Sequence, residues 1–378
     1  MQATRLLVEL DSLSQSFLST RNHSQFRHNC SIFPRSELRS MDAGKIPEHT
    51  SFLDTLPPVE FACIYGSSLH PNNSDKTSMI DYILGVANPQ QWHTENLKLN
   101  RDHYVSWMIH LGGAQLITGV ADHIGARIHF NPFVSHRDRM FKYGVVRMND
   151  LVRDISGWES FYLSGRLQKP VNVVVDKSEI EKLNSVNVKA ATAAALLLLP
   201  SKFSEEELYA KICSLSYMGD LRMLFAEDRN KVRKIVQGQF ELFQQMYNPF
   251  IEEFAAQDLL RMSSSGDQKL NLIQDCGSST TCSLVSSLPL PLRCHTGMKL
   301  GEKKPIDESG TINHWAGRAT QKVAIKREEA ADCIRKTLRR KVMVSSARQA
   351  VAGLLTAGAV HGVKYVGSKM KKAWRSWR

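Results

Sequence analysis

Residues 65–86 read YGSSLHPNNSDKTSMIDYILGV. One apolar run closes on Gly66 and Ser67, a polar connection follows, and a second apolar run carries a single acid, Asp81, between Ile80 and Tyr82. Alternation of this kind predicts two strands joined by a turn, with Asp81 on one face and Ile80 and Tyr82 on the other. Glycine lets a backbone approach a ligand closely, and N–H groups at such a turn can face phosphate oxygens. A carboxylate on the adjoining strand is a hard oxygen donor for a divalent cation. From these residues alone, an ordinary turn beside a strand that tolerates one acid is the better account.

Further strand-like bursts recur outward from this stretch: EFACIYG, AQLITGV, ARIHFNP, FKYGVVRM and VNVVVD, with a helical stretch over 94–112. They predict an α+β (α/β) domain with a mixed sheet over residues 46–176. The pattern then turns helical. Ser178 with Glu181, and Ser204 with Glu207, have the spacing of capping boxes. Pro200 stops the first helix, AAALLLLP is too short to span a bilayer, and DRNKVRKIVQGQFELFQQMY predicts a third helix. Residues 177–255 therefore read as a helical domain. Residues 256–320, rich in Ser, Gly and Pro, read as a flexible linker.

The 378 residues are 42% hydrophobic and 23% charged, which is globular composition. Seven scattered cysteines without a C-x-x-C pair argue against a disulfide framework or a structural zinc site. The net charge of +12 is localised: Arg335 to Arg378 holds twelve Lys and Arg and no acid, so the rest of the chain is neutral overall. A neutral body with a basic tail argues against a polynucleotide track around the site and points to an anionic surface for residues 321–378. Val344, Ala347, Val351, Leu355, Val366, Met370 and Trp377 share a helical face, and Trp374 and Trp377 lie among Lys371, Lys372, Arg375 and Arg378. This predicts an amphipathic helix lying on a membrane, with docking onto the protein itself as the alternative. Residues 1–45 carry Arg5, Arg21, Arg27, Arg35 and Arg39 against Glu9, Asp11 and Glu37, as a transit peptide or a disordered N-terminus would.

A strand, a Gly-Ser turn and an aspartate on the next strand together resemble the polymerase-beta-like nucleotidyltransferases. The motifs YGSSLHP, MIDYILGV, QWHTENLKLNRDHYVSWM, GARIHFNPF, KYGVVRMNDLVRDISGWESFYLSGRLQKPV and LSYMGDLRM narrow this. Over residues 55–255 the chain resembles the mitochondrial phosphatidate cytidylyltransferases, the translocator assembly and maintenance type of CDP-diacylglycerol synthase, in their plant branch. The resemblance implies a nucleotidyltransferase domain, a winged-helix-like domain and a membrane-associating C-terminus. It implies CTP and phosphatidate as substrates, Mg²⁺ as cofactor and no nucleic acid. It places the protein peripherally on the matrix side of the mitochondrial inner membrane, supplying cardiolipin and phosphatidylglycerol synthesis. A non-catalytic adaptor of an inner-membrane complex, or a nucleotidyltransferase acting on RNA, are the alternatives.

By the same resemblance Tyr65, Gly66, Ser67 and Ser68 cradle the triphosphate and Asp81 holds the metal. Ser68 stands where many members have glycine. The acid-x-acid pair usual in the superfamily is missing, since Met79 and Ile83 flank Asp81 at two residues' distance. Asp75 and Asp154 are the candidate second ligands. Lys142 is the candidate catalytic cation, followed by Arg166 and Lys169 as phosphate contacts. His93, His103 and His129 fit no zinc spacing and read as structural; Asn131 and Pro132 read as a strand-ending turn lining the pocket, and Trp92, Trp107 and Trp158 as core.

Overall fold

The structure, a computed structural model, describes residues 51–69, 79–220, 223, 230–264, 270–293 and 326–357. Asp75, the N-terminal segment and residues 321–325 and 358–378 of the basic tail lie outside the described residues.

A five-stranded mixed sheet forms from β1 (Phe61–Tyr65), β2 (Ile80–Val86), β3 (Ile128–His136), β4 (Arg139–Arg147) and β5 (Asn172–Asp176) in the order β3-β4-β2-β1-β5. Only β2 and β4 pair in parallel; the other neighbours are antiparallel. Alternation gives the sheet two apolar faces. Ile80, Tyr82, Leu84, Phe141, Tyr143 and Val145 pack on one side with Phe52 and Trp92. Phe61, Cys63, Ile83, Ile128, Phe130 and Val146 pack on the other with Leu151, Ile155 and Leu163. The fold is α+β with a mixed sheet, as the sequence predicts.

Helix α1 (Pro89–Leu99) begins with Pro89 and is capped by Asn88, whose side chain accepts from the amides of Gln90 and Gln91. The stretch read as one helix over 94–112 is broken into the end of α1, a 3₁₀ turn at Arg101–His103 and α2 (Ser106–Leu111). AQLITGV is not a strand: it forms α3 (Gly113–Gly119) and runs into a π-helical turn at Val120–Ile124. Ala114, Ile117, Val120 and Ala121 recur at helical spacing and are buried, a period that the short run hides among β-branched residues. After β4 come α4 (Met148–Gly157) and the short α5 (Ser164–Leu167).

The second unit follows the order of a winged helix: α6 (Ile180–Leu198), β6 (Lys202–Ser204), α7 (Glu205–Leu215), α8 (Lys231–Gly238), α9 (Phe240–Ala256), β7 (Leu260–Ser264) and β8 (Leu270–Gln274). The three strands pair as β6-β8-β7. AAALLLLP forms the buried last turns of α6 through Leu198 and ends the helix at Leu199 and Pro200. Ser204 and Glu207 make the predicted capping box, but Ser178 does not cap α6. Asp176 does, its carboxylate accepting from the amides of Ile180 and Glu181 at 2.9 Å each. The third predicted helix is split between Gly238 and Phe240 into α8 and α9.

Two boundaries move. The segment read as linker continues the folded unit through β7, β8 and α10 (Ser278–Ser286), and Leu260, Leu272, Leu284, Leu288 and Leu292 join the second core. Its Ser-rich composition masks strand pairing that only tertiary contact reveals. α11 (Arg327–Ala357) is docked on the protein as well: Ala330, Ile334, Leu338 and Val342 enter the same core. Its C-terminal half crosses onto the first domain, where Ala352 packs with Tyr104, Met108, Ile117 and Val120. Lys341 Nζ donates to the carbonyls of Trp158 and Glu159 at 2.8 and 2.9 Å, and Arg348 donates to those of His123 and Ile124 at 2.9 and 3.2 Å. α11 thus straps the two units together.

Candidate active site

Three strand ends bring the predicted residues together. Tyr65 lies opposite Asp81 across β1 and β2, and Asp81 lies beside Lys142 across β2 and β4, so the three form one row on one face of the sheet. Lys142 Nζ stands 3.3 Å from Asp81 Oδ1, both half-buried, and the ammonium also rests over the Phe130 ring at 4.6 Å. Gly66 follows with φ +93°, and a β-carbon there would stand 3.3 Å from Asp81 Oδ2. Glycine is required at that turn on both counts. The next residues form a 3₁₀ turn, Ser67–Leu69, and the Ser68 hydroxyl is buried without a hydrogen-bond partner among the described residues. An orphaned donor beside a cradle that only glycine leaves open suits an anionic ligand.

Arg166, on α5, completes the row. Its guanidinium lies over the Tyr162 ring at 3.7 Å and faces Tyr65 at 5.9 Å, and it donates to the Tyr162 carbonyl. Burial pushes the Tyr65 hydroxyl up to about 12; Lys142 and Arg166 pull it down and Asp81 pushes it up, so all three charges bear on one phenol. Tyr65 stays protonated at neutral pH and can donate. Lys169 is held one turn further on, its Nζ donating to the Gly165 carbonyl and the Ser216 hydroxyl at 2.6 Å each. It faces Tyr217 of the second unit at 5.0 Å. Gln239, between α8 and α9, donates to the Leu69 carbonyl at 3.5 Å and ties that unit to the turn.

Asp154 is neither a site residue nor a surface acid. It is buried at the end of α4, and its two oxygens accept from the amides of Ser160, Phe161, Leu163 and Ser164 and from two serine hydroxyls. A carboxylate so engaged anchors the loop that delivers Arg166 and has no lone pair to spare for a metal. Asn131 is also displaced from the pocket. It points to the opposite face, where its amide donates to the Tyr143 hydroxyl at 2.8 Å and its oxygen meets His129 at 2.9 Å. β3 does not end there: a bulge spans Asn131 to Val134, Phe133 takes φ +60°, and pairing resumes to His136.

His93, His103 and His129 belong to the same buried network as Asn131. His93 bonds Tyr104, His103 bonds Tyr143, and Asn96 donates to both tyrosines, all at 2.8 Å. Burial pushes His93 well below its usual range and His129 down to about 4, so these rings are neutral structural parts. Trp92 and Trp158 are core as predicted, whereas Trp107 is partly exposed. Sequence reasoning missed Phe130, Tyr162 and Gln239. Tyr162, one helical turn before Arg166, is the only one of the three with a readable signal.

A five-stranded mixed sheet, with a glycine turn set against a strand carboxylate and two cations, defines an α+β protein with a candidate phosphate site at its strand ends. Comparison with known proteins narrows the class. The profile of the family described as mitochondrial phosphatidate cytidylyltransferase matches residues 49–372. Proteins of that name from Danio rerio, Bos taurus and Caenorhabditis elegans are 34%, 30% and 31% identical to this chain, over 85%, 84% and 87% of it and 93%, 92% and 99% of their own lengths. The chain belongs to the mitochondrial phosphatidate cytidylyltransferase family.

Proposed function

We propose that this chain is a mitochondrial enzyme that transfers a cytidylyl group from CTP to phosphatidate, forming CDP-diacylglycerol and releasing pyrophosphate. The observation that carries the reading is the row Tyr65–Asp81–Lys142 beside the Gly66 turn, within a chain matched over residues 49–372 by that family. A phosphate oxygen of phosphatidate attacks the α-phosphorus of CTP and the pyrophosphate oxygen departs in line. That phosphate is already anionic near neutral pH, so positioning and charge neutralisation carry the reaction and no strong base is needed.

The turn after Gly66 offers backbone N–H groups and the buried Ser68 hydroxyl to the triphosphate. Lys142 and Arg166 neutralise charge at the reacting and departing phosphates, and Tyr65 remains a neutral donor beside them. Lys169 extends the cationic line toward the second unit. Asp81 fits a hard divalent cation such as Mg²⁺, which would compete with the Lys142 ammonium for Oδ1. When bound, Mg²⁺ would screen the phosphate charges from one another. With Asp154 spent on its loop, Asp75 and the nucleotide's own oxygens are the remaining partners for the ion.

The acyl chains of phosphatidate stay in a bilayer, so the enzyme works at a membrane surface; we assign it to the matrix side of the inner membrane, held peripherally. Among the described residues no helix is long and apolar enough to cross a membrane. The purified full chain with CTP, Mg²⁺ and phosphatidate vesicles is expected to release pyrophosphate, and Asp81→Ala to abolish release. A wild type without turnover overturns the activity; turnover by the variant overturns the role of Asp81.

A further inference from the structure

Where the two units meet, the loop after α7 gathers charge that the row at Asp81 does not use. Two ammoniums approach the Tyr217 ring: Lys169 Nζ stands 5.0 Å from its centroid and Lys231 Nζ 5.2 Å. Lys169 comes from the first unit, three residues after Arg166, whose carbonyl accepts from the Lys169 amide at 3.1 Å. Lys231 opens α8 in the second unit, so the positive end of that helix adds to its charge. The buried Cys213 thiol feels both lysines: burial pushes it up, and Lys169 and Lys231 each pull it down. Lys169, Tyr217 and Lys231 are all half-exposed. Both units therefore aim a cation at one accessible spot.

The spot is built to stay in place. Lys169 Nζ donates to the Gly165 carbonyl and the Ser216 hydroxyl, and Ser216 donates in turn to the Cys213 carbonyl at 3.3 Å. A β-carbon on Gly165 would stand 2.7 Å from that of Ser216, so glycine is what lets α5 close on the loop. Bringing two ammoniums to one ring costs mutual repulsion. An anion with two charges removes that cost, and an anion with one charge removes less of it.

We propose that Lys169 and Lys231 bind the terminal phosphate of phosphatidate, and that their paired charge selects this phosphomonoester over phosphodiester lipids. The proposal rests on the cytidylyl-transfer reading above and gives the second unit a direct part in substrate choice. A phosphomonoester carries about −1.5 to −2 charges near pH 7, whereas a phosphodiester carries a single one. The γ-phosphate of the nucleotide offers similar chemistry, but the triphosphate already has the Gly66 turn, Lys142 and Arg166. In-line attack also needs the acceptor on the side of the α-phosphorus away from the departing pyrophosphate. Lys169, reached from Arg166 and bordering the second unit, gives the acceptor a place of its own.

Steady-state kinetics of the full chain with CTP, Mg²⁺ and water-soluble dioctanoyl phosphatidate, with dioctanoyl phosphatidylglycerol as competitor, tests this. Lys231→Met is expected to raise the KM for phosphatidate at least about tenfold and to leave the KM for CTP within about twofold. Inhibition by phosphatidylglycerol is expected to change little, so the preference for the monoester shrinks. Lys231→Arg keeps the charge and is expected to keep most of the affinity. An unchanged KM for phosphatidate in Lys231→Met overturns the proposal. A rise of the same size in the KM for CTP overturns it too, because the lysine would then belong to the nucleotide. So do equal losses in the Met and Arg variants, which would make the role structural. Absence of turnover by the wild type overturns the activity instead. Calorimetry with dioctanoyl phosphatidate then still reads the subsite, with binding expected to weaken at least about tenfold in Lys231→Met and equal binding overturning it.

Discussion

Gly66 and Asp81 are bound to each other by space: a methyl group on the first would press on the carboxylate of the second at 3.3 Å. The contact sits at φ +93°, where an L side chain is strained as well as crowded. Gly66→Ala therefore costs about 1–2 kcal/mol in backbone strain and also pushes Asp81 out of line with Lys142. Pyrophosphate release by this variant is expected to fall at least about tenfold, with a much smaller change in the unfolding midpoint. Equal losses in both would mean that the turn is only structural.

Lys142 is expected to matter through its charge. Lys142→Met keeps most of the stem over Phe130 and removes the ammonium 3.3 Å from Asp81. If Lys142 neutralises phosphate in the transition state, kcat falls about a hundredfold while the KM for CTP changes little. A rise in KM alone would move Lys142 to ground-state binding.

Asp154 shows how the sequence misleads about carboxylates. Its six hydrogen bonds hold the Ser160–Ser164 loop. Asp154→Ala leaves four amides, three of them buried, without their acceptor, and the expected loss is about 3–5 kcal/mol, read as a lower urea midpoint. Asp154→Asn keeps the shape and restores acceptance at one oxygen only, so it is expected to fall between wild type and Ala.

What the sequence made legible was the local chemistry: the strand–turn–strand around Gly66 and Asp81, the Ser204 cap, the buried last turns of α6. Each is set by neighbours a few residues away. What it hid was tertiary. β7 and β8 become strands through tertiary pairing, Leu272 lying opposite Phe203 on one side and Met262 on the other, and α11 reads as a helix lying on a membrane, with docking as the alternative, because its buried and exposed faces are both apolar. The role of Asp154 depends on a loop closing over it. The side of the sheet to which Asn131 belongs follows from its pairing with Tyr143, not from its proximity to a turn.

The strap gives a prediction of its own. Arg348 supplies donors to the carbonyls that end the Val120–Ile124 turn, a position where helices leave acceptors open. Arg348→Ala is expected to speed amide hydrogen exchange in 120–126 and along the last turns of α11, with the second core unchanged. Uniform acceleration across the chain would mean that the strap and the cores open as one.

The buried histidine network sets an acid limit on stability. His129 titrates at about 4 in the folded protein and His93 well below its usual range, both chiefly through burial and His93 also through the adjacent His129. In the unfolded chain both bind a proton near pH 6.5, so between about 6.5 and 4 the unfolded state holds the extra protons. Stability is therefore whole above pH 6.5 and lost as pH falls through that window, by about 3 kcal/mol for His129 alone. His129→Gln keeps a side-chain amide able to reach Asn131 and removes the titrating ring. Urea midpoints measured from pH 7 to pH 4 are expected to fall less steeply for this variant than for the wild type. Parallel curves would mean that the acid sensitivity arises elsewhere.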